Sequence, residues 1–598
     1  MLEVLQSVIG SWGHLLPFWA LHIGSLTAAV WITYVDVLQG QWVSDDFEGV
    51  ANLDGKFKRI GHPQPAAAGG VQSTTAPPAG GSLWNDVLSW VRWHIGKAPN
   101  PNYQKPRDPN KPDGPKDDRQ FIPHAARHHR LNLFLFNGIV IMAYSFLCTV
   151  VGPEVAFLAT LLWVVHPVGA QCVAWISGIG YLIAAFFMLV GLNGAVLLGH
   201  SSLYHNPVAT LFIAGTYFVV QFLAFRGQFT SIAVVVILAY LKLWPLALVA
   251  AMVAGLGLLH TFLTVISVRS ATFKQQQMGA STQLHPRKIV VVMKTLYYYT
   301  KLAFFPKRLG LYHTAGYHYP MPWIEWEDKH FWSGVVIATV MGLAAWLLPP
   351  PTAFGLLWWT CFIVFVLNWI TVHQFIAERY IWLPSLGLCL IVASFAPSWL
   401  YWAVVGILLM RTWAHLPTYY NELMFYQSNV WNHPTSEVAY GNLGVTYLRM
   451  NLPGAAVDHW NLGANRNQDY DVNWYNLYSI FRSQHLLEQA RTFLLKALSC
   501  TTCHFPKEWR TELETLELEI QWQKALAPIP LEQKDTWQKV QLEQLLKRPD
   551  LPHRPWWEEK YRQLQEYLKK KPIAPPPPTA MPREAVLGAL TPPPRNYS

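Results

Sequence analysis

Two adjacent acids follow an apolar segment near the start of the chain, and their position suits acid–base chemistry. They are Asp45 and Asp46, within WITYVDVLQGQWVSDDFEGVANLDG (31–55). A carboxylate at a membrane–water boundary can take a proton from a hydroxyl group, or hold a cation or a phosphate-bound metal. The alternative is an ordinary acidic pair in a solvated loop, because intramembrane acids indicate function by default only when they are buried.

A second stretch, SCTTCHFP (499–506), has the C-x-x-C-H pattern of c-type haem attachment. Cys500 and Cys503 would add to the vinyl groups, and His504 would ligate the iron. Attachment requires an oxidising, non-cytoplasmic compartment. The same residues could instead form a local disulfide, remain free thiols or supply half of another metal site. A closed four-cysteine zinc site is excluded because the sequence has no second C-x-x-C.

These residues belong to a chain with the composition of a polytopic membrane protein. Of its 598 residues, 52% are hydrophobic and 13% are charged, whereas a soluble domain has about a quarter charged residues. Residues 14–37 are predicted to form a first transmembrane helix and not a signal peptide, because no basic segment precedes them and they contain no small-residue cleavage site. The net charge of +10 suits loops that face anionic headgroups. Nucleic-acid binding is excluded because the basic residues are scattered, without an aromatic-basic ribbon.

Residues 131–412 are predicted to form a multispanning membrane domain. The expected spans are 131–151, 153–166, 176–199, 207–225, 229–247, 248–268, 289–305, 332–349, 353–372, 379–396 and 397–412. The basic loop 267–288 is expected in the cytoplasm, and the loop 304–331 has the aromatic and histidine content of an active-site rim or an interface. Four cysteines are predicted to be small core residues, namely Cys148, Cys172, Cys361 and Cys389.

The remaining regions are polar. Residues 38–130 are expected to form an extracytoplasmic loop that holds the acidic pair, a flexible Pro/Gly-rich insertion (61–82) and an interfacial amphipathic helix (82–96). Residues 571–598 form a Pro-rich tail that is expected to be extended or disordered.

Helical periodicity returns in residues 413–570, together with an internal repeat. Large residues recur at the positions of one helix, and small residues recur where the next helix passes close, which is the tetratricopeptide pattern. The matched positions are Tyr440, Leu443, Gly444, Tyr447, Ala456, Trp460 and Gly463 in the first repeat and Trp474, Leu477, Tyr478, Phe481, Ala490, Leu494 and Ala497 in the second. Such a solenoid offers a concave surface for an extended peptide or a partner subunit, and residues 507–570 are expected to cap or extend it.

The membrane segments resemble a known family. The similarity is to the membrane core of the transmembrane and tetratricopeptide-repeat mannosyltransferases, which are protein O-mannosyltransferase-like members of the C-superfamily of glycosyltransferases. It is carried by HHRLNLFLFNGIVIMAYSFL (128–147), HPVGAQCVAWISGIGYLIAAFFMLVG (166–191), TLYYYTKLAFFPKRLGLYH (295–313) and ERYIWLPSLGLCLIVA (378–393), in this order. The resemblance implies an all-α fold, with a C-superfamily helical bundle followed by a tetratricopeptide-repeat α-solenoid.

The resemblance also implies roles for matching residues. Asp45 or Asp46 would deprotonate the acceptor hydroxyl. Arg379 would bind the phosphate of the donor, since a guanidinium meets phosphate oxygens bidentately. The alternative is an ion pair of Glu378 and Arg379 that seats a helix end at the interface. The other predicted phosphate-binding residues are Lys301, Lys307, His313 and His166.

The loop at 166–182 departs from the family pattern HPxHTEAVAWISGRxD at four positions. Its apolar frame is kept, but Gly169, Gln171, Ile179 and Tyr181 stand where the family commonly has His, Glu, Arg and an acid. Loss of one such electrostatic group alone costs on the order of 100-fold in rate. One loss could be compensated by the basic residues of 301–313, whereas four together predict lost or strongly changed activity.

Two functions remain open on these observations. The first is transfer of a hexose, such as mannose, from a polyprenyl-phosphate sugar to a protein or glycan hydroxyl. The second is a non-catalytic membrane scaffold subunit of a larger complex, which would be an electron-transfer complex if haem were bound. The expected partners are membrane lipids, a polyprenyl-phosphate lipid and a protein that binds the repeats or the Pro-rich tail. The resemblance implies a bacterial inner membrane with the repeats in the periplasm, or the endoplasmic reticulum with the repeats in the lumen.

Overall fold

The chain is almost entirely helical where its structure is described. The computed structural model describes residues 16–41, 43, 97–99, 121–199, 201, 206–212, 214–215, 230–269, 288–311, 313, 329–369, 376–501, 503, 505–547 and 553–570. The exception to the helices is a pair of short strands, β1 (Lys97–Pro99) and β2 (Phe121–Pro123), which run antiparallel with Ala98 opposite Ile122.

Several sequence predictions fall outside the described residues. They concern the acidic pair Asp45 and Asp46, the insertion 61–82, the amphipathic segment 82–96, His504 and the tail 571–598. These remain predictions.

The described residues up to Thr446 form one compact unit, and those from Tyr447 form a second. The helices of the first unit are α1 (Leu16–Tyr34), α2 (Ala125–Val151), α3 (Pro153–Val165), α4 (Ala170–Ala174), α5 (Ile179–Gly199), α6 (Thr230–Tyr240), α7 (Trp244–Arg269), α8 (Lys288–Phe304), α9 (Lys329–Leu347), α10 (Pro350–Ile363), α11 (Glu378–Phe395), α12 (Ser398–His415) and α13 (Glu422–Asn432). The next helix, α14 (Glu437–Arg449), crosses the boundary between the units.

Several helices of the first unit are long and apolar enough to cross a membrane, as the composition predicts. Within the described residues there are five such segments, namely Trp19–Gln39, Ala125–Val151, Ile176–Gly199, Lys329–Leu347 and Glu378–Phe395. A sixth is present if the broken pair Pro153–Val165 and Pro167–Ala174, bent by 60°, counts as one span. These segments identify an integral membrane protein.

One helix boundary differs from its expected place. The sequence predicts a break between 247 and 248, but α6 ends at Tyr240 and α7 begins at Trp244. Pro245 in the first turn of α7 disfavours helical geometry in the residue before it. Lys242 takes a left-handed conformation with φ of 61°, and the N–H of Leu243 donates to the carbonyl of Leu238 at 2.9 Å, which closes the end of α6.

The irregular backbone at 166–178 is enclosed by the bundle. Pro153 and Pro167 begin the two arms of the bent pair. The side chain of Asn132, on α2, donates to the carbonyls of Val173 and Trp175 at 3.3 and 3.2 Å. Irregular backbone at membrane depth is tolerated only where protein groups satisfy it, so Asn132 supplies donors that lipid cannot.

The two helices α10 and α11 pack closely through glycines. A Cβ atom on Gly355 would lie 2.6 Å from the carbonyl oxygen of Gly387. On the other side of α11, the indole of Trp163 stacks on Trp382 with ring centroids 5.2 Å apart and donates to the carbonyl of Trp382 at 2.8 Å. These contacts fix α11, whose first residues are Glu378 and Arg379.

The second unit is a series of polar helices. They are α15 (Pro453–Arg466), α16 (Asp471–Ser483), α17 (Leu487–Ser499), α18 (Pro506–Leu526), α19 (Leu531–Leu546) and α20 (Arg554–Lys570). Consecutive helices from α15 to α18 pack on one another, and α19 packs on α20. Ala456, Trp460, Ala490, Leu494 and Ala497, which the repeat pattern places between helices, are buried.

The repeat also appears in the backbone. Asn451 and His485 lie 34 residues apart and both take left-handed conformations, with φ of 59° and 60°. Each is followed by the same hydrogen bond, from Leu452 to the carbonyl of Tyr447 and from Leu486 to the carbonyl of Phe481. Both helices therefore end in a Schellman motif, and the 34-residue repeat of the sequence is also a repeat of the backbone conformation.

The close contact of α10 and α11 predicts that Gly355→Ala destabilises the protein. The added methyl group would press on the backbone of α11 and cost ~1–3 kcal/mol. The control is Gly406→Ala on α12, where a Cβ atom meets nothing within 4 Å, so that the better helix propensity of alanine raises stability slightly. Thermal unfolding of the detergent-solubilised variants checks this, and equal shifts for both would contradict the packing.

Candidate functional site

A fully buried carboxylate begins helix α11. Glu378 has no exposed surface, and its Oε1 accepts hydrogen bonds from the backbone N–H of Gly310 and from Nε2 of His313 at 3.0 Å. Nε2 of His415 lies 3.7 Å from Oε2. An acid also suits the first turn of a helix, where the backbone dipole is positive. Among the described residues no group of three or more His, Cys, Asp or Glu side chains could hold a metal ion. The cluster is a buried network of a carboxylate, two imidazoles and a backbone N–H.

The segment 305–311 is held against this carboxylate by further bonds. The guanidinium of Arg411 donates to the carbonyls of Pro306 and Lys307 at 3.0 and 3.1 Å. The N–H of Leu311 donates to Oδ1 of Asn429 at 2.6 Å. Gly310 is required here, because a Cβ atom would lie 2.7 Å from that oxygen. The residues around Gly310 therefore have fixed positions.

A basic pocket of about 560 Å³ opens beside this segment. It is lined by Tyr298, Lys301, Leu302, Phe305, Lys307, Arg308, His313, Ile376, Asn432, His433, Pro434 and Thr435. Three of these side chains carry permanent positive charge, and no carboxylate is among the described lining residues. We call it the basic pocket. Its charge suits an anionic ligand, since lysine and arginine form strong charge-assisted hydrogen bonds with phosphate.

Two histidines line the inner wall of the basic pocket. The rings of His313 and His433 lie 4.4 Å apart. Burial, reinforced by His313 and Arg308, lowers the pKa of His433 to about 2, so this ring stays neutral at physiological pH. Its Nε2 is buried and has no hydrogen-bond partner among the described residues. A neutral imidazole with a free nitrogen can bond to a ligand in the pocket.

Arg379, the neighbour of Glu378, lies among aromatic rings. Its Nε donates to the hydroxyl of Tyr181 at 3.0 Å and its Nη2 to that of Tyr380 at 3.3 Å. Its Cζ lies 4.7 Å from the ring centroid of Tyr380, 5.6 Å from that of Trp175 and 5.8 Å from that of Tyr181. We call these residues the arginine box. Arg379 is not among the residues that line the basic pocket.

Two of the four departures from the family pattern contact Arg379 directly. Tyr181 accepts from its side chain, and Oε1 of Gln171 accepts from its backbone N–H at 2.8 Å. Gly169 is packed so tightly that a Cβ atom would lie 2.9 Å from the hydroxyl of Tyr34, which leaves no room for histidine in this arrangement. Ile179 is buried. These four positions are therefore neutral, and two of them bond to Arg379, one to its side chain and one to its backbone.

Both ring nitrogens of His166 bond to backbone groups. Its Nδ1 accepts from the N–H of Val168 at 3.3 Å, and its Nε2 bonds to the carbonyl of Ala303 at 2.8 Å. Because Nδ1 accepts, Nε2 carries the proton and donates. With both ring nitrogens in use, His166 ties the loop to the end of α8 and does not reach the basic pocket.

The structure thus sorts the predicted phosphate-binding residues. Lys301, Lys307 and His313 share the basic pocket, whereas Arg379 and His166 lie elsewhere. Of the other charged or imidazole residues in the pocket, Arg308 falls within the basic range 301–313 that the sequence predicts to bind phosphate, whereas His433 was not predicted. The Lys-Arg pair of FFPKRLG was a usable signal for Arg308. His433 had none, since it follows α13 and meets the pocket only through the fold.

Cys500, one of the predicted haem-attachment residues, is packed inside the second unit. Cys500 is buried, and its Sγ lies 3.3 Å from the carbonyl oxygen of Lys496 and 3.5 Å from that of Gln468. Burial, with Asp471 and Asp469 nearby, raises the pKa of its thiol to about 12. Both cysteines are free thiols. A porphyrin edge would need space at a sulfur that packs against two backbone carbonyls.

Glu378 is predicted to be a stability determinant. Glu378→Ala removes the carboxylate from buried partners, a loss of about 3–5 kcal/mol. Glu378→Gln should cost less, because its amide oxygen can still accept from Gly310. The control is Glu154→Gln, at an exposed position in the first turn of α3. Thermal unfolding is the measurement, and a Glu378→Ala variant as stable as the control would contradict the network.

The packing of Cys500 predicts that the purified protein carries no covalent haem. Its absorption spectrum should show no Soret band and no pyridine haemochrome after expression with a c-type maturation system. A stoichiometric haemochrome, lost in Cys500→Ser, would show that this segment refolds around a porphyrin.

Comparison with models of known protein families, with curated proteins and with solved structures finds no match.

Proposed function

We propose that this protein is a glycosyltransferase-like membrane protein that binds a polyprenyl-phosphate sugar, with the phosphate in the basic pocket. One observation carries the proposal. Lys301, Lys307 and His313, which the sequence marks as phosphate-binding, line one pocket together with Arg308 and without a described carboxylate.

The surroundings of the basic pocket support a lipid ligand. Lys301 lies in the last turn of α8, and Phe304 and Phe305, at the end of this helix and directly after it, are 49% and 74% exposed. Cationic and apolar groups side by side suit a molecule with a charged head and a hydrocarbon chain. The pocket volume is within the range of small-molecule sites, which leaves room for a sugar beside the phosphate.

The reaction follows from the resemblance of the membrane segments to the C-superfamily glycosyltransferases. Asp45 or Asp46 would take the proton of the acceptor hydroxyl, and the basic pocket would stabilise the leaving lipid phosphate. The acceptor is a protein or glycan hydroxyl. The second unit, as a tetratricopeptide solenoid in the periplasm or lumen, would present a protein partner.

A second candidate function is a non-catalytic scaffold subunit. It is favoured by the arginine box, because Arg379 donates through Nε and Nη2 to Tyr181 and Tyr380, and the side-on fork of these two nitrogens is therefore occupied by protein groups. The same fold would then hold a lipid and a partner protein without transfer. An absorption spectrum without a Soret band is compatible with this function, because a scaffold subunit needs no haem.

Lipid binding is predicted to depend on the charge of the basic pocket. Lys301→Gln, Lys307→Gln and Arg308→Gln should each weaken binding of a polyprenyl phosphate about tenfold, which corresponds to about 1.4 kcal/mol and to one charge-assisted bond. The control is Arg130→Gln, an exposed cation on α2. Binding of a fluorescent polyprenyl phosphate in nanodiscs measures this. Equal affinities for all four variants would reject the pocket as the lipid site.

A transfer assay separates the two functions. Purified protein is given a labelled polyprenyl-phosphate mannose and hydroxyl-bearing peptides. Transfer that is lost in Asp45→Asn or Asp46→Asn supports the enzyme and its base. Binding without transfer, together with co-purification of other membrane proteins at fixed stoichiometry, supports the scaffold.

A further inference from the structure

The arginine box contains a buried positive charge without a described counter-ion. Arg379 is 9% exposed. Among the described residues its contacts include no carboxylate: they are the hydroxyls of Tyr181 and Tyr380, the amide of Gln171 and three aromatic rings. A buried charge normally has an ionic partner, because desolvation is otherwise uncompensated. Aromatic faces and hydroxyl oxygens reduce this cost but leave the charge in place.

The same place holds hydrogen-bond donors that find no acceptor. Nη1 of Arg379, Nε2 of Gln171 and Nε1 of Trp175 are buried without a hydrogen-bond partner among the described residues. All three side chains belong to one cluster, since Gln171 bonds to the backbone of Arg379 and the Trp175 ring faces its guanidinium. Native structures rarely leave a buried donor unpaired, and three in one cluster require an acceptor.

We propose that the arginine box binds a small monovalent inorganic anion, with chloride as the physiological representative. One negative charge balances one guanidinium. Nε and Nη2 of Arg379 already donate to tyrosine hydroxyls, so the side-on pair of donors that these two nitrogens would offer a carboxylate or phosphate is occupied. A spherical ion needs only single N–H donors, and Nη1, the Gln171 amide and the Trp175 indole supply them.

This site is independent of the lipid site in the basic pocket. Arg379 and Glu378 are consecutive, but Glu378 bonds to His313, whereas Arg379 turns to Tyr181. The anion would balance the positive charge of Arg379, which lies where the loop 166–182 meets α11. It would act as a structural ligand that stabilises the folded state in proportion to its occupancy.

The test is thermal unfolding of the full-length protein in detergent, with chloride replaced by gluconate at constant ionic strength. Gluconate is too large for an enclosed site between side chains. The wild-type melting temperature should rise with chloride and saturate, and bromide should replace chloride. A flat response would overturn the proposal, because water alone would then fill the site.

Two variants locate the effect. Trp175→Phe keeps an aromatic face beside Arg379 but removes the indole N–H donor. It should weaken the apparent chloride affinity about tenfold. Gln171→Glu supplies a carboxylate beside Arg379 and should remove the chloride response while the protein stays folded. A variant with Lys307→Gln and Arg308→Gln should keep the wild-type response. Loss of the response in this control would assign the anion to the basic pocket. An unchanged response in both Trp175→Phe and Gln171→Glu would show that the anion does not bind in the arginine box. Either result overturns the proposal.

Discussion

The burial of two opposite charges at consecutive positions governs this structure. Glu378 and Arg379 begin the same helix, and neither can be left without partners in a medium of low dielectric constant. Glu378 is surrounded by His313, His415 and the N–H of Gly310. Arg379 contacts tyrosine hydroxyls and aromatic faces, which reduce the cost of its burial without supplying a negative charge. Glu378 therefore bonds to Gly310 and His313, whereas Arg379 bonds to Gln171 and Tyr181 in the loop 166–182.

This division explains how a nearly uniform apolar chain acquires polar sites. The basic pocket forms beside the segment that Glu378 anchors, with Asn429 and Arg411 holding the backbone on either side of Lys307. The arginine box forms where Tyr181 accepts from the guanidinium and Gln171 accepts from the backbone N–H of Arg379. Neutral hydrogen-bonding residues thus surround a buried charge in this part of the bundle.

Much of the fold could be predicted from the sequence. Long apolar segments predicted the membrane helices, and the recurrence of Tyr447 and Phe481 predicted the helix pairs of the second unit. The short break at 241–243 was misplaced, because Pro245 acts on the residues before it while hydropathy runs on through it. For the candidate site, Lys301, Lys307 and His313 could be named in advance, since they lie close together in one motif-bearing stretch. His433 and Asn429 could not, because they are distant in sequence and have ordinary polar neighbours.

The sequence by itself determined that this is a polytopic membrane protein with a repeated helical unit after it, because composition and periodicity are properties of neighbouring residues. Only the tertiary structure decided that His166 bonds to the carbonyl of Ala303, that Cys500 is buried and that Glu378 and Arg379 have different surroundings. A side chain's role depends on which atoms lie within bonding distance, and several of these atoms are distant in sequence: Ala303 is 137 residues from His166, and Tyr181 is 198 residues from Arg379. The stretch 166–182 shows the difference: its apolar frame marks a family resemblance, whereas its neutral positions acquire meaning only beside Arg379.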